Sequence, residues 1–394
     1  MNDLVIFLLL IGAIWLVILA TYKKLSLSKR GFTLSPAILM WKTTRGLKFI
    51  DRIGKKFRKW WIFYGTVAAC LGFLLMFSVF AGLLSNSIFV LLRPREAIPG
   101  VRFILPGTAP GLTITIWFIV VGVVLIFHEV FHAFLLRSQG LRTKSAGVLL
   151  FLFIPGAFVE PDERQVIRSS PGKRMRMFAA GPVTNILISF LFLLILLSVL
   201  TPKQGVYIWG VAENSPLAEE NILGAKILAL DNFQISSIED VKNFKNYLNA
   251  SRRTEFELVT DRGTFYAKIR QENGENHLPF IAAQAPSNLV YLHPINTVIL
   301  MYATIFGNPV FHPYLYHFYV PPFLIDLLKW LFALNLGIGL FNLLPAKPLD
   351  GGYMLEALLE VRYSKKFARG FVKAFSFFIL LLIILNLLPM IVRA

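Results

Sequence analysis

The chain has 394 residues, 56% of them hydrophobic, and a mean hydropathy of +0.64, which excludes an ordinary soluble domain and predicts a polytopic membrane protein. The net charge of +18 does not indicate nucleic acid binding, because many basic residues cluster between apolar segments, where they set membrane topology. The single cysteine, Cys70, excludes an intramolecular disulfide and a metal site built from several cysteines.

Two apolar segments, Leu4–Ala20 and Trp60–Leu92, are predicted to be the first and second transmembrane helices. Leu4–Ala20 lacks a basic segment before it and a clear small-residue cleavage site, which favours a retained helix over a signal peptide. The segment between them, Tyr22–Lys59, carries twelve lysines and arginines against one acidic residue, Asp51. The positive-inside rule therefore predicts that this segment is cytoplasmic and that the N-terminus is outside. We expect a solvated basic loop whose tasks are orientation and lipid contact.

The third predicted helix, Leu112–Leu136, runs back to the cytoplasmic side and contains the sequence FHEVFHAFLL. His128 and His132 are four positions apart and share one helix face, so they can bind one metal ion together. Glu129 lies beside them, where a carboxylate can take a proton from an attacking water. Such groups are costly in a membrane-length apolar helix and usually functional, which favours a metal site near the cytoplasmic end of this helix.

Two features follow this helix. The segment Ala146–Val159 is apolar but too short to cross a membrane, and Pro155-Gly156 interrupts it. A re-entrant hairpin or strand pair beside the site fits this segment, and so does an interfacial segment that only packs against other elements.

The fourth predicted helix, Met177–Leu200, opens with GPVTN. Its Asn185 either supports the metal site through a hydrogen bond or makes a packing hydrogen bond.

The character of the chain changes between Thr201 and Gln284. Acidic and basic residues mix there, the long apolar runs stop, and short strand-like and helix-like pieces alternate. Val206–Val211 is typical of a strand, and Asp261-Arg262-Gly263 is typical of a hairpin turn. We therefore predict a small soluble α+β domain, which the topology places outside the membrane.

In the remaining chain, Thr297–Ile305 is apolar but short, and we predict that it is re-entrant or interfacial. Two longer apolar segments are predicted to be the fifth and sixth transmembrane helices, Phe323–Leu344 and Phe375–Val392. The C-terminus is then outside. The predicted fold class is a polytopic α-helical membrane protein with about six transmembrane helices, a re-entrant hairpin and an inserted soluble α+β domain. The predicted divisions are 1–111 (an N-terminal transmembrane hairpin with its basic loop), 112–201 (the H-E-x-x-H half), 202–284 (the inserted domain) and 285–394 (the second half, with the last two helices).

Two histidines leave zinc short of the three protein ligands that are usual in a catalytic site. Asp350 follows the fifth helix at the same depth as the histidines, between Pro348 and Gly351-Gly352. We favour Asp350 as the third ligand, although an aspartate here is also suited to cap the helix that starts near Tyr353. Glu160 and Glu356 lie near this depth but not at a helix end with such backbone-loosening residues, and Asp326 lies at the outer end of its helix.

Together these motifs resemble the site-2 protease family of intramembrane zinc metalloproteases. H-E-x-x-H lies in one helix, a short apolar stretch follows it, and N-x-x-P-x-x-x-x-D-G lies in a later helix, matched here by Asn342, Pro345, Asp350 and Gly351. The resemblance covers about Leu112 to Tyr353. The inserted domain resembles the PDZ domain that many members carry, most closely in ENSPLAEENILGAKILALDN, with a partial match to the usual carboxylate-binding loop at 208–211.

The resemblance implies one Zn²⁺ per chain, held by His128, His132 and Asp350, with Glu129 as the catalytic base. It also implies that an unwound substrate segment binds as an extended strand, for which the edge of Ala146–Val159 and the Asn342 side chain are candidates. Pro345 either exposes a backbone group for this pairing or kinks the helix. The implied substrates are membrane-anchored proteins with a single transmembrane helix, trimmed beforehand by another protease, and the outer domain would act as a size filter or docking module.

Two other functions remain possible interpretations of the residues. A non-proteolytic zinc-containing scaffold or chaperone would retain the metal ligands, but it has no need of the base Glu129. A metal transporter would require ligands along a path across the bilayer, whereas the candidate ligands of this sequence lie at one depth.

Overall fold

A computed structural model of the protein describes residues 3–213, 215–251, 253–272, 275–307 and 310–392. Asn214, which belongs to the stretch that resembles a PDZ domain, lies outside the described residues. The helices in the described ranges, apart from short 3₁₀ turns, are α1 (Asp3–Thr21), α2 (Leu47–Lys56), α3 (Arg58–Leu92), α4 (Ile114–Ser138), α5 (Glu163–Arg168), α6 (Pro171–Ser198), α7 (Ile238–Ser251), α8 (Pro294–Phe306), α9 (Pro322–Asn342), α10 (Asp350–Leu359) and α11 (Lys365–Val392).

The strands of the described residues form four separate sheets. Their bounds in the described ranges are β1 (Phe32–Ser35), β2 (Ile38–Thr43), β3 (Thr143–Phe151), β4 (Ile154–Pro161), β5 (Leu200–Pro202), β6 (Val206–Val211), β7 (Lys226–Leu230), β8 (Phe233–Gln234), β9 (Glu255–Thr260), β10 (Gly263–Lys268), β11 (Arg270–Glu272), β12 (Glu275–His277), β13 (Phe280–Ala283) and β14 (Tyr316–Phe318).

Six helices in the described ranges are long and apolar enough to cross a membrane, namely α1, α3, α4, α6, α9 and α11. They occur where the sequence predicts transmembrane helices, although α6 begins earlier, at Pro171, and α11 begins earlier, at Lys365. Large apolar side chains lie exposed on these helices, such as Phe77, which is 71% exposed. Such surfaces are expected where a helix faces lipid. The helix α8 has 13 residues and is too short to belong to this set.

The chain divides into two compact units. The first consists of Met1–Leu193, Ile305–Gly307 and Asp326–Ala394, and the second consists of Leu194–Thr304 and Asn308–Ile325. In the first unit, one core cluster joins α3, α4 and α6 through the buried side chains Trp61, Phe134 and Ala180. A second cluster packs α3 and α11 against the turn that follows α9.

The first unit also contains a four-stranded antiparallel sheet in the order β1-β2-β3-β4. The predicted stretch Ala146–Val159 forms the β3–β4 hairpin, which turns at Leu152 with a left-handed backbone (φ +51°). Among the described residues β4 pairs with β3 alone, so its other edge is open. Whether this hairpin enters the membrane stays a prediction.

The expectation of a solvated loop between the first two helices is wrong. The strands β1 and β2 form a hairpin, and Ile38–Thr43 pairs with β3 residues about a hundred positions later in the chain. The apolar residues between the cations lie in the paired strand β2 and on the buried side of α2, where Ile50 is 8% exposed. Tertiary pairing thus overrides the charged composition, which alone indicates a solvated segment.

The second unit holds a mixed α+β fold, as the sequence predicts for its central part. Its main sheet has the strand order β10-β9-β7-β6-β13, with β8 paired to β7. The helix α7 contributes Val241, Phe244 and Leu248 to the core of this sheet. The predicted hairpin at Asp261-Arg262-Gly263 is the connection between β9 and β10. Phe318 and Leu200 pair in the small sheet formed by β14 and β5.

Candidate metal centre

The helix α4 positions the two histidines of the H-E-x-x-H sequence. Thr113 caps its N-terminus, where the Thr113 hydroxyl accepts a hydrogen bond of 3.3 Å from the Ile116 N–H. The side chains of His128 and His132 lie one turn apart on the same face, and their Nε2 atoms are 3.1 Å apart. Both rings therefore direct a nitrogen to one point.

Asp350 completes this cluster from another part of the chain. Its Oδ2 atom lies 3.0 Å from His128 Nε2 and 3.3 Å from His132 Nε2. Asp350 is the first residue of α10, whose N-cap is Leu349, so the alternative in which Asp350 caps this helix does not describe the structure. Its carboxylate is directed at the histidines instead.

A tight turn between α9 and α10 brings Asp350 to this position. The helix α9 ends at Asn342, before Pro345, so Pro345 lies in the turn and does not kink the helix. A Cβ atom at Gly351 would overlap the carbonyl groups of Leu343 and Leu344, and one at Gly352 would overlap the backbone of Ala346. Only glycine permits this close approach of the backbone.

The three side chains fit a zinc ion. Each of His128, His132 and Asp350 offers one ligand atom, and these atoms lie within 4.8 Å of one another. Bonds of about 2.0–2.1 Å in a tetrahedral zinc site place neighbouring ligand atoms about 3.3 Å apart, close to the distances observed here. Two imidazole nitrogens and one carboxylate oxygen are also a ligand set found in catalytic zinc sites, which keep a fourth position open.

Gly181 of α6 leaves room beside the histidine nitrogens. A Cβ atom at this position would overlap His132 Nε2 and lie 2.9 Å from His128 Nε2. The missing side chain thus leaves space beside both Nε2 atoms, where the two histidines would hold a metal ion. Nothing in the sequence around Gly181 indicates this position beside the imidazoles.

Hydrogen bonds on the far side of each ring orient the histidines. His132 Nδ1 lies 2.6 Å from the carbonyl oxygen of Met177, to which it can donate its N–H. His128 Nδ1 lies 3.3 Å from Asn185 Nδ2, and Asn185 is fully buried with no partner for its Oδ1 among the described residues. Exchanging the amide oxygen and nitrogen of Asn185 gives Oδ1 the His128 N–H as a donor and satisfies both groups. Both imidazoles then present Nε2 to the cluster.

Glu129 is held at the edge of the sheet. Its Oε2 atom accepts a hydrogen bond of 2.9 Å from the backbone N–H of Val159 in β4. Because the N–H groups of a strand alternate between its two sides, this N–H lies on the open edge of β4, away from β3. The second carboxylate oxygen of Glu129 has no hydrogen bond among the described residues and is available to another group.

The structure does not bring every candidate residue to the cluster. Asn342 donates a hydrogen bond of 3.0 Å back to the Ile338 carbonyl of its own helix. Glu160 pairs with Lys42 at 3.0 Å and accepts a hydrogen bond of 2.6 Å from Ser145, and these hydrogen bonds lower the pKa of its carboxyl. The remaining acidic candidates pair with lysines, Glu356 with Lys347 and Asp326 with Lys329.

Sequence reasoning missed the ion pair that anchors α10. Arg174 of α6 donates to both carboxylate oxygens of Glu360, with Arg174 Nη1 3.1 Å from Glu360 Oε1. The side chains are 9% and 3% exposed, respectively. Phe178 and Tyr353 stack nearby, with ring centroids 4.8 Å apart. These contacts fix the helix that carries Asp350 against the helix that carries Gly181 and Asn185.

Comparison with known proteins connects this geometry to a family. Residues 116–387 match the model of peptidase family M50. The chain is also similar to an uncharacterised protein of Methanocaldococcus jannaschii, with 26% identity over 330 residues that cover 82% of this chain and 78% of the relative. The matched range includes both parts of the metal cluster.

Proposed function

The chain belongs to peptidase family M50, the site-2 protease family of metalloproteases, and from that premise we propose that it hydrolyses peptide bonds within or near the transmembrane segments of single-span membrane proteins. The observation that carries this proposal is the convergence of His128, His132 and Asp350, with Glu129 next to His128 in α4 and its carboxylate bonded to the edge of β4. The two histidines lie in one of the six helices that are long and apolar enough to cross a membrane in the described ranges, which supports a membrane-embedded site.

In the proposed site, His128 Nε2, His132 Nε2 and Asp350 Oδ2 hold one zinc ion. When bound, zinc supplies Lewis acidity that polarises the scissile carbonyl and lowers the pKa of water. The Met177 carbonyl and the Asn185 amide keep the N–H of each imidazole on Nδ1, so that Nε2 stays free for the metal.

Glu129 acts as the base in this proposal. Its Oε2 is occupied by the Val159 N–H, so Oε1 accepts the proton of the attacking water and later delivers it to the leaving amine. The hydrogen bond to β4 fixes the carboxylate while the proton moves. Proton transfer by a positioned carboxylate contributes about 10²–10⁴-fold to the rate.

The open edge of β4 is the proposed binding site for substrate. A transmembrane helix hides its peptide bonds in its own hydrogen bonds, so the substrate must unwind before it is cut. An unwound segment can add to β4 as a further strand, with the outward N–H and carbonyl of Ala157 and the outward carbonyl of Val159 as partners, while the Val159 N–H stays bonded to Glu129. Asn342 and Pro345 lie at the end of α9 and in the turn before Asp350, and we propose that they contact the other side of this strand.

The wider setting follows the predicted topology. We propose a multi-pass protein of the cell membrane whose termini and inserted PDZ-like domain are extracytoplasmic and whose active site is near the cytoplasmic side. Substrates of the proposed class include membrane-tethered regulators and signal-peptide remnants. The PDZ-like domain would filter substrates by size or dock them after another protease has trimmed them.

A non-proteolytic zinc scaffold or chaperone is the alternative function. It would use the same three ligands, but it gives no reason for a carboxylate held beside them at a strand edge. The position of Glu129 on β4 therefore favours the protease.

The experiment that tests the proposal is cleavage of a single-span model substrate by the purified full-length protein in detergent. Wild type should cut, and Glu129→Gln should lose the activity while its zinc content is unchanged. Mass spectrometry of the products locates the cut relative to the substrate helix. Equal cutting by both proteins, or no cutting of any single-span substrate by zinc-loaded wild type, would contradict the proposal.

A further inference from the structure

The helix α2 (Leu47–Lys56) has two different faces. Ile50 and Gly54 are buried against α4, and Leu47 and Ile53 join the same core cluster. Lys48, Arg52, Lys55 and Lys56 fall together on the opposite side of the helix, and all four are exposed. Phe49, which is 60% exposed, borders this basic face. An exposed aromatic ring beside clustered cations is typical of a helix that lies in a membrane interface.

The basic face of α2 has no acidic partners among the described residues. Its neighbours Arg45, Arg58 and Lys59 are also exposed and unpaired with carboxylates in that part of the chain. The acidic residue within the helix, Asp51, pairs instead with Arg137 of α4. The cations are therefore available to an anionic partner from outside the protein.

The position of α2 decides which partner this is. Phe57 alone separates α2 from α3, which is long and apolar enough to cross a membrane. The first turns of α3 expose Trp60 (54%), whose ring stacks on Tyr64 with centroids 5.6 Å apart. Tryptophan and tyrosine are enriched at the level of the lipid headgroups. Because three residues separate the end of α2 from the predicted transmembrane segment Trp60–Leu92, we expect its basic face at that level too.

We propose that the exposed basic face of α2 binds the headgroups of anionic lipids in the membrane that the chain crosses. The phosphate groups of these lipids would supply the negative charge that the described part of the chain does not provide at this face. Phe49, Phe57 and Trp60 extend the same surface with apolar area that can enter the acyl-chain boundary.

Lipid bound at this face also affects the helix that carries the metal ligands. The opposite face of α2 packs on Ala133 and Phe134, which directly follow His132 in α4. Arg137 Nη2 donates a hydrogen bond of 2.7 Å to Asp51 Oδ2, and a Cβ atom at Gly54 would lie 2.7 Å from Arg137 Cβ, so the two helices are in close contact. Anionic lipid that holds α2 at the interface therefore stabilises the C-terminal end of α4 as well.

The test measures lipid-dependent thermal stability of the full-length protein in detergent and does not depend on protease activity. Phosphatidylglycerol should raise the Tm of wild type more than phosphatidylcholine with the same acyl chains, and high salt should weaken this effect. The variant Lys48→Gln/Arg52→Gln/Lys55→Gln/Lys56→Gln should need more than about tenfold more phosphatidylglycerol for the same rise in Tm. Its Tm in phosphatidylcholine reports whether the fold is intact.

Two further variants make the test specific. Lys48→Arg/Lys55→Arg/Lys56→Arg preserves the charge and should respond to phosphatidylglycerol like wild type. Removing four cations from the second unit, in Lys242→Gln/Lys245→Gln/Lys268→Gln/Arg270→Gln, should leave the response unchanged. An unchanged response of the α2 variant, or an equal loss in the second-unit variant, would overturn the proposal. Equal stabilisation by free glycerol phosphate would overturn it in favour of a soluble phosphate ligand.

Discussion

The Oε2 atom of Glu129 accepts a 2.9 Å hydrogen bond from the backbone N–H of Val159. This contact joins the helix that carries the histidines to the open edge of the strand β4 (Ile154–Pro161). The proposed base and the proposed substrate-binding edge are therefore one continuous feature. In the proposed binding mode, a strand added along β4 runs past the carboxylate of Glu129, the residue that directly follows His128 in α4.

The edge of β4 predicts a substitution that separates substrate binding from metal binding. Ala157 directs its N–H to the open side, like Val159, so Ala157→Pro removes a donor that a substrate strand would use but no hydrogen bond to β3. We expect roughly tenfold slower cleavage, the cost of one unmade backbone hydrogen bond, with unchanged zinc content. The measurement is kcat/KM for a single-span substrate together with metal analysis.

Ala157→Val is the matched control, because it changes the side chain and retains both outward backbone groups. It should cleave at close to the wild-type rate. Equal rates for Ala157→Pro and Ala157→Val would mean that substrate does not pair with this edge.

The contact between Asn185 and His128 predicts an effect on metal affinity. Replacing Asn185 with alanine removes the group that orients the His128 ring, and partners of this kind are worth about 10–100-fold in metal affinity. Competition with a zinc chelator measures the change. The control is Asn335→Ala in α9 (Pro322–Asn342), another fully buried asparagine whose amide bonds to its own helix, at the Leu331 carbonyl. A similar loss of zinc affinity in both variants would indicate general destabilisation, not orientation of His128.

The buried pair of Arg174 and Glu360 predicts a large effect on stability that a second substitution reverses. Arg174→Met leaves the Glu360 carboxylate buried without its partner, which costs roughly 3–5 kcal/mol. The double variant Arg174→Met/Glu360→Met removes the uncompensated charge and should recover most of the loss. Thermal unfolding in detergent gives both values. Equal Tm values for the single and double variants would show that the unpaired charge of Glu360 does not cause the loss of stability.

The same pair predicts how stability depends on pH. Hydrogen bonds from Arg174 lower the pKa of the Glu360 carboxyl. Its contribution to stability is therefore fully present above the unfolded-state pKa of about 4.3 and is lost as the pH falls through the lower folded-state value. The double methionine variant lacks this group, so its Tm should fall less than that of wild type as the pH is lowered through this range.

Local patterns explain which parts of the site the sequence predicts. His128 and His132 lie on one helix and four positions apart, so helix periodicity alone places them together. Asp350 follows a proline-containing turn and precedes two glycines, and those residue types indicate a sharp change of direction at the end of a helix. The strand pair at 146–159 is also indicated locally, by its length and by Pro155-Gly156.

Features that depend on contacts between distant parts of the chain cannot be predicted from local sequence patterns. The strand β2 (Ile38–Thr43) is bordered by cations and pairs with β3 (Thr143–Phe151), so no pattern near Trp41 predicts its partner. The Met177 carbonyl that orients His132 belongs to the backbone and leaves no residue type to recognise. Arg174 and Glu360 resemble ordinary cytoplasmic charges in the sequence, and only the packing of their two helices buries them.

The most direct test of the central claim is the zinc content of the purified protein and of two variants. Wild type and Glu129→Gln should each hold about one zinc per chain, because the proposal makes Glu129 the base and not a ligand. Asp350→Asn should lose most of its zinc, because a neutral amide is a poor replacement for the carboxylate ligand. Full zinc occupancy in Asp350→Asn, or none in wild type, would contradict a centre formed by His128, His132 and Asp350.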